Sequence, residues 1–224
     1  MLKKIIISSL IGISISGAVL AYIAYNAFFG INTTDKISQQ HLSIEPELSI
    51  EDLADLLVQD SFILNKKTFL LTARTMKYGS NIRAGKFSLD GKSSNVQIIR
   101  HLRTGEQATV NLVINNARTL EDLSGKLAKF VVADSVDFRN QFVLTETQEL
   151  LETNAENIMS YFIPNTYEVY WIESPKDIIE RMKKEHLRFW STKNRLEKAK
   201  LMEMTQEEIY TLASIIEKET NQDS

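Results

Sequence analysis

Thr205-Gln206-Glu207-Glu208-Ile209-Tyr210-Thr211-Leu212-Ala213-Ser214-Ile215-Ile216-Glu217-Lys218-Glu219-Thr220 reads as one amphipathic helix. Thr205 followed by Glu208 has capping-box spacing, so the helix starts there. At about 100° per residue, Ile209, Leu212, Ala213 and Ile216 share one face and Lys218 points almost opposite. Glu217 falls beyond the edge of that face. Glu219 falls on the stripe of Leu212 and Ile216, which is expected to meet a core. A carboxylate there is costly unless it is paired or neutral, because desolvation disfavours the charged form. A carboxyl held neutral is a general acid. The same pattern also fits a helix that ends in charged residues, with Glu219 in water at a frayed terminus.

Upstream the pattern stays mainly helical from Thr119. Thr119 to Phe130 carries Leu120, Leu123 and Leu127 at helical spacing, with Glu121 and Asp122 in the first turn. Ser135 to Leu144 and Asn154 to Met159 predict shorter helices. Phe162-Ile163-Pro164-Asn165-Thr166-Tyr167 breaks the pattern and predicts a turn or extended segment. Ser174-Pro175 starts a long helix, serine as N-cap and proline at N1, running through Ile178, Ile179, Met182, Leu187 and Trp190. The basic stretch 181–200 is interleaved with Glu185, Glu197 and aromatics and reads as a solvated helix face. Tyr161, Phe162, Tyr167, Tyr170 and Trp171 cluster around the turn. Such rings either line a groove for an apolar ligand face or pack in the core.

Residues 42–115 read as a small α+β unit in the order strand, helix, helix, strand, helix, strand. Ser49 caps a helix with Ile50, Leu53, Leu56 and Leu57 on one face. A second helix is predicted over 67–77, a strand over 83–89, a helix from Ser93 closed by Gly105, and a strand over 109–114. The unit has no clustered acids or histidines, so a packing or spacer role is its simplest reading. Residues 31–41 are polar and read as a linker.

Met1-Leu2-Lys3-Lys4 precedes a run from Ile5 to Gly30 without a charged residue. About 20 apolar residues span a bilayer core. Tyr22, Tyr25, Phe28 and Phe29 gather at the far end, as an aromatic belt does, and Lys3 and Lys4 place the N-terminus in the cytoplasm. The alternative is a cleaved signal peptide with Ser16-Gly17-Ala18 as the cleavage site, but its apolar core would run only about 7–15 residues.

The 224 residues carry a net charge of -3, with pI near 5.7. No basic stripe for nucleic acid is present. The absence of cysteine rules out disulfides, thiolate metal sites and a cysteine nucleophile. His41, His101 and His186 are far apart and lack metal-ligand spacing. No Gly-rich phosphate loop exists, and no cofactor is implied.

Leu212 to Thr220 resembles the signature helix of the membrane-anchored endolytic murein transglycosylase (MltG, or YceG-like) family, nearly residue for residue. Tyr161 to Tyr167 resembles the family's aromatic-Pro-Asp-Thr-Tyr segment, with Asn165 where aspartate is common. Ala84-Gly85-Lys86-Phe87, then Val96 to Leu102 and Gly105, resembles the end of its LysM-like module. The resemblance implies an α+β chain: a transmembrane anchor (1–30), a linker (31–41), a LysM-like module (42–115) and the first, mainly helical part of a catalytic domain (116–224).

The implied reaction cleaves the bond between N-acetylmuramic acid and N-acetylglucosamine and leaves 1,6-anhydro ends. It needs one carboxyl as acid and then base, where most glycosidases use a pair. Glu219, followed by the hydroxyl residue Thr220, matches that role, with Glu217 flanking. Tyr161, Phe162, Asn165 and Tyr167 are then candidate substrate-binding residues. The implied partners are peptidoglycan strands, the bacterial cytoplasmic membrane through residues 5–29 and the cell-wall synthesis machinery. The main domain is expected outside the cytoplasm. The resemblance covers only the front of the family's length, so weak or absent activity is expected of the chain alone. A membrane-tethered peptidoglycan-binding or scaffold protein is the non-catalytic alternative.

Overall fold

A computed structural model describes residues 2–34, 41–115, 117–154 and 156–220. The chain is mixed helix and sheet, and it divides into two compact units, 1–108 and 109–224. One helix among the described residues is long and apolar enough to cross a membrane. It is α1 (Leu2–Phe29), with its apolar span over Ser9–Phe29.

In the first unit, β1 (His41–Ile44) pairs antiparallel with β2 (Gly85–Ser88), setting Leu42 opposite Phe87. Alternation sends Leu42, Ile44 and Phe87 to one side. There they meet α2 (Ile50–Gln59), α3 (Lys66–Thr75) and α4 (Asn95–Thr104) through Leu53, Leu57, Phe69, Ala73, Ile98, Ile99 and Leu102. Helix starts follow local capping chemistry. The Ser49, Asn65 and Ser94 side chains accept from the N–H groups of Asp52, Thr68 and Gln97. Helix ends use distant side chains. Arg103 donates to Met76 O after α3, and Arg83 donates to the carbonyls of Arg103 and Gly105 after α4.

The third strand expected of this unit belongs elsewhere. β3 (Thr109–Ile114) pairs antiparallel with β4 (Asn165–Tyr170), Leu112 opposite Tyr167, in the second unit. Leu112 and Ile114 pack into that unit's core, so packing divides the chain at 108/109 rather than 115/116. Residues 31–34, expected to begin a linker, are also partly built in: Asn32 and Thr33 are buried. Positions 35–40 of that linker lie outside the described residues.

The second unit surrounds its strand pair with α5 (Leu120–Leu127), α6 (Ser135–Val143), α7 (Thr145–Leu151) and α8 (Pro175–Ser191). Leu123, Leu127, Phe138, Phe142, Ile178, Ile179 and Met182 fill the core against Leu112 and Val169. Ser174 caps α8 with Pro175 in its first turn, as the sequence predicts, and Asp177 completes a capping box. The extended segment expected near Asn165 is β4. The helix expected over 154–159 is a 3-10 turn, Ile158–Tyr161. Glu152 ends α7 in the left-handed region, and Asn154 Oδ1 accepts from Asn157 N instead of letting a helix continue. The basic stretch 181–200 is two helices. Lys193 and Asn194, both at positive φ, separate α8 from α9 (Arg195–Leu201). The last helix is α10 (Gln206–Thr220).

Phe138 is fully buried, while Val143 on the same helix is 67% exposed. Phe138→Ala is expected to cost about 3–5 kcal/mol through lost burial and a cavity, and Val143→Ala to stay within about 0.5 kcal/mol. Urea denaturation followed by far-ultraviolet circular dichroism checks both.

Candidate functional site

Helix α10 starts as its sequence dictates. Glu208 N–H donates to Thr205 Oγ1 at 3.1 Å, and Thr205 N–H donates to Glu208 Oε2 at 2.8 Å. Its apolar stripe does not face a core. The second unit's core closes without α10, and Leu212, Ile215 and Ile216 are exposed. Periodicity reports which residues share the face, but it carries no information on what covers the face.

Glu217 and Glu219 are exposed, and neither carboxylate has a hydrogen-bond or ion-pair partner among the described residues. The Thr220 hydroxyl donates to the carbonyls of Ile216 and Glu217 rather than to Glu219. Glu217 lies near Tyr210. Burial pushes the Tyr210 phenol up, and the Glu217 charge adds to the shift.

Tyr161, Phe162 and Tyr167 are packed away, while Tyr170 is exposed. Tyr161 is buried, donates to Leu151 O and stacks on His186 with ring centroids 4.3 Å apart. Phe162 meets Phe142 edge-on at 5.6 Å. Tyr167 faces the core, donates to Ile163 O at 2.8 Å, and is pushed up to about 12 by burial, with Glu185 adding. Asn165 is exposed at the start of β4, its side-chain oxygen accepting from Thr166 N–H at 2.8 Å. Of the aromatic candidates, Tyr161 borders a cavity.

An open cleft of about 1070 Å³ runs beside the first half of α10. Gln148, Glu149, Asn154 and Asn157 form one side, and Glu207, Thr211 and Leu212 the other. A smaller cavity of about 410 Å³ adjoins Tyr161, His186, Lys183 and Glu207. Glu207 borders both, and its charge raises the Tyr161 phenol further beyond the effect of burial. No sequence signal marks these residues: they come from separate segments that only the fold gathers. Among the described residues no cluster of histidine and carboxylate suits a metal ion.

A family model for the YceG-like family matches residues 42–224. The chain belongs to the YceG-like family. A crystal structure of a YceG-like protein from Listeria monocytogenes is similar at 19% identity, with a TM-score of 0.41. The match covers 75% of this chain and 60% of that one, so this YceG-like chain spans about three fifths of its neighbour's length. No curated protein matches.

His186 supplies a pH test of this region in the YceG-like chain. Its Nδ1 is buried without a hydrogen-bond partner among the described residues, and burial lowers its pKa, with Glu207 opposing. As pH falls through about 6.5, the unfolded chain takes up a proton that folded His186 resists. Stability is therefore expected to fall with pH from about 7 until the lowered folded pKa is reached. His186→Phe, which keeps the stack on Tyr161, should flatten that limb in urea midpoints measured from pH 7.5 to 5.

Proposed function

We propose that this chain acts in endolytic cleavage of peptidoglycan, as a lytic transglycosylase or as the front part of one. Membership of the YceG-like family over residues 42–224, which takes in α10, carries this reading. Glu219 is the proposed acid and base. Its carboxyl protonates the oxygen between N-acetylmuramic acid and N-acetylglucosamine as the muramyl C1–O bond breaks. The carboxylate then takes the proton of the muramyl 6-hydroxyl as that oxygen bonds to C1, closing the 1,6-anhydro ring. The proton count balances with one group, and no cofactor enters.

The open cleft beside α10 supports a polyhydroxylated ligand. Gln148, Asn154, Asn157, Thr205 and Thr211 offer donors and acceptors along it. Glu217 and Asn165 are exposed and are proposed to contact sugar. Tyr161, Phe162 and Tyr167 are proposed to hold the wall behind the glycan rather than to stack on it. Helix α1 is proposed as a single-pass anchor in the bacterial cytoplasmic membrane, with residues beyond it outside the cytoplasm. The first unit is proposed as a LysM-like module, its helix pair enclosed between two antiparallel strands.

One observation favours a second reading. Glu219 is exposed and is not among the residues lining the cleft. On that geometry the chain alone would tether or bind glycan without cutting it.

One experiment separates the two. The chain and its Glu219→Gln variant are incubated with uncrosslinked glycan strands, and the products are analysed by mass spectrometry. The transglycosylase reading expects anhydromuramyl ends from the parent and a loss of at least about 100-fold in the variant, the low end of the effect of removing an acid–base group. No anhydro ends from either protein, with strands retained by both, selects the binding reading.

A further inference from the structure

Helix α1 does not hang from the first unit by a tether; its last turn is part of that unit. Ala27 is buried, and its carbonyl accepts from Asn95 Nδ2 at 2.8 Å and from Thr72 Oγ1 at 3.2 Å. Asn95 Oδ1 in turn accepts from Asn32 Nδ2 at 2.7 Å, and Asn32 Oδ1 accepts from Asn65 N–H at 2.8 Å. Ile31 bridges to Ser94, and Thr33 to Ile63. Gly30 N–H donates to Asn26 O at 2.9 Å, and a Cβ at Gly30 would lie 2.5 Å from that same carbonyl oxygen. Only glycine lets the chain turn off the helix there without a shift of backbone. Flexible tethers are solvated and unbonded. Here the polar groups are buried and paired, which makes the junction stiff.

Length then fixes where the junction sits. From Ile5 to Asn26 the helix rises about 33 Å at 1.5 Å per residue, close to the ~30 Å hydrocarbon core of a bilayer. The apolar layer is used up within a turn of Ala27, so the surface around Ala27 lies at headgroup depth.

That surface has an unusual composition. Beyond α1, the exposed large hydrophobics among the described residues of the first unit are Ile31, Val58, Leu64 and Leu71, and three of these four flank the junction. Ile31 follows Gly30. Leu64 N–H donates to Asn32 O at 2.8 Å. Leu71 stands beside Thr72 on α3, and exposed Lys67 lies one turn before it on the same face. Leucines this open are unfavourable in water, yet they suit a headgroup–acyl boundary where a lysine reaches lipid phosphate.

We propose that the α3 surface beside the junction, with Ile31, Leu64, Leu71 and Lys67, is a lipid-contacting face that holds the first unit rigidly against the membrane. This rests on the reading of α1 as a membrane span, which the test checks separately. The chain has no cysteine, so single spin labels need no background removal. The full chain is placed in nanodiscs of phosphatidylethanolamine and phosphatidylglycerol, with one label replacing Ile13, Glu47, Leu64 or Leu71. Collision with oxygen is compared with collision with a water-soluble nickel chelate. The expected result is a deep, oxygen-dominated Ile13 and a fully aqueous Glu47, with nickel collisions at Leu64 and Leu71 several-fold below those at Glu47. A deep Ile13 with Leu64 and Leu71 as open to nickel as Glu47 overturns this proposal alone. An aqueous Ile13 overturns the span and this proposal together. A label pair at Tyr22 and Glu51 tests the stiffness. A narrow distance distribution is expected, broadening in Thr72→Val with Asn95→Ala. A broad distribution in the parent overturns the rigid junction.

Discussion

A helix leaves four N–H groups and four carbonyls without partners at its ends, and a chain built mainly of short helices meets that constraint again and again. How each end is closed decides much of this structure. The N-termini are closed from within by Ser49, Asn65, Ser94, Thr119, Asp134 and Ser174, each one residue ahead of its helix. The carbonyls after α1, α3 and α4 are closed by Asn95, Thr72, Arg103 and Arg83, which reach across the first unit. These long-range caps tie three helices to one another at their ends, and they turn an apolar helix that composition alone would leave separate into part of a folded body.

The second unit is built differently. Its core is a pair of antiparallel strands far apart in sequence with helices on it, and Tyr161 and Phe162 before β4 and Tyr167 within it supply much of the filling. That use of the rings bears on function. A groove that stacks sugar needs exposed rings, but Tyr161 and Tyr167 have their hydroxyls bonded to carbonyls, and the rings of Tyr161 and Phe162 lie against His186 and Phe142. What remains open beside α10 is a polar cleft of amides, hydroxyls and carboxylates.

Several elements are legible in the order of residues alone. The capping boxes at Ser94 and Ser174, the proline at N1 of α8 and the apolar run of α1 each rest on interactions within a few residues, so neighbouring positions suffice to read them. The partition of β3 is not legible in that way. Thr109 to Ile114 alternates correctly for a strand, but its partner strand begins only at Asn165, opposite Ile114, and pairing over such a separation leaves no local mark. The split of the basic stretch turns on Lys193 and Asn194 at positive φ, a conformation that any lysine disguises.

The candidate site shows the same division. The sequence by itself determined that α10 is a helix, that Glu219 shares a stripe with Leu212 and Ile216, and that the chain carries the YceG-like pattern. These follow from period and residue type. Tertiary structure alone decided that the stripe faces outward, that Tyr161, Phe162 and Tyr167 are core while Tyr170 is not, and that Glu149, Asn157 and Glu207 border one cleft. The reason is physical: periodicity reports which residues share a face, whereas burial depends on which other surface arrives to cover it.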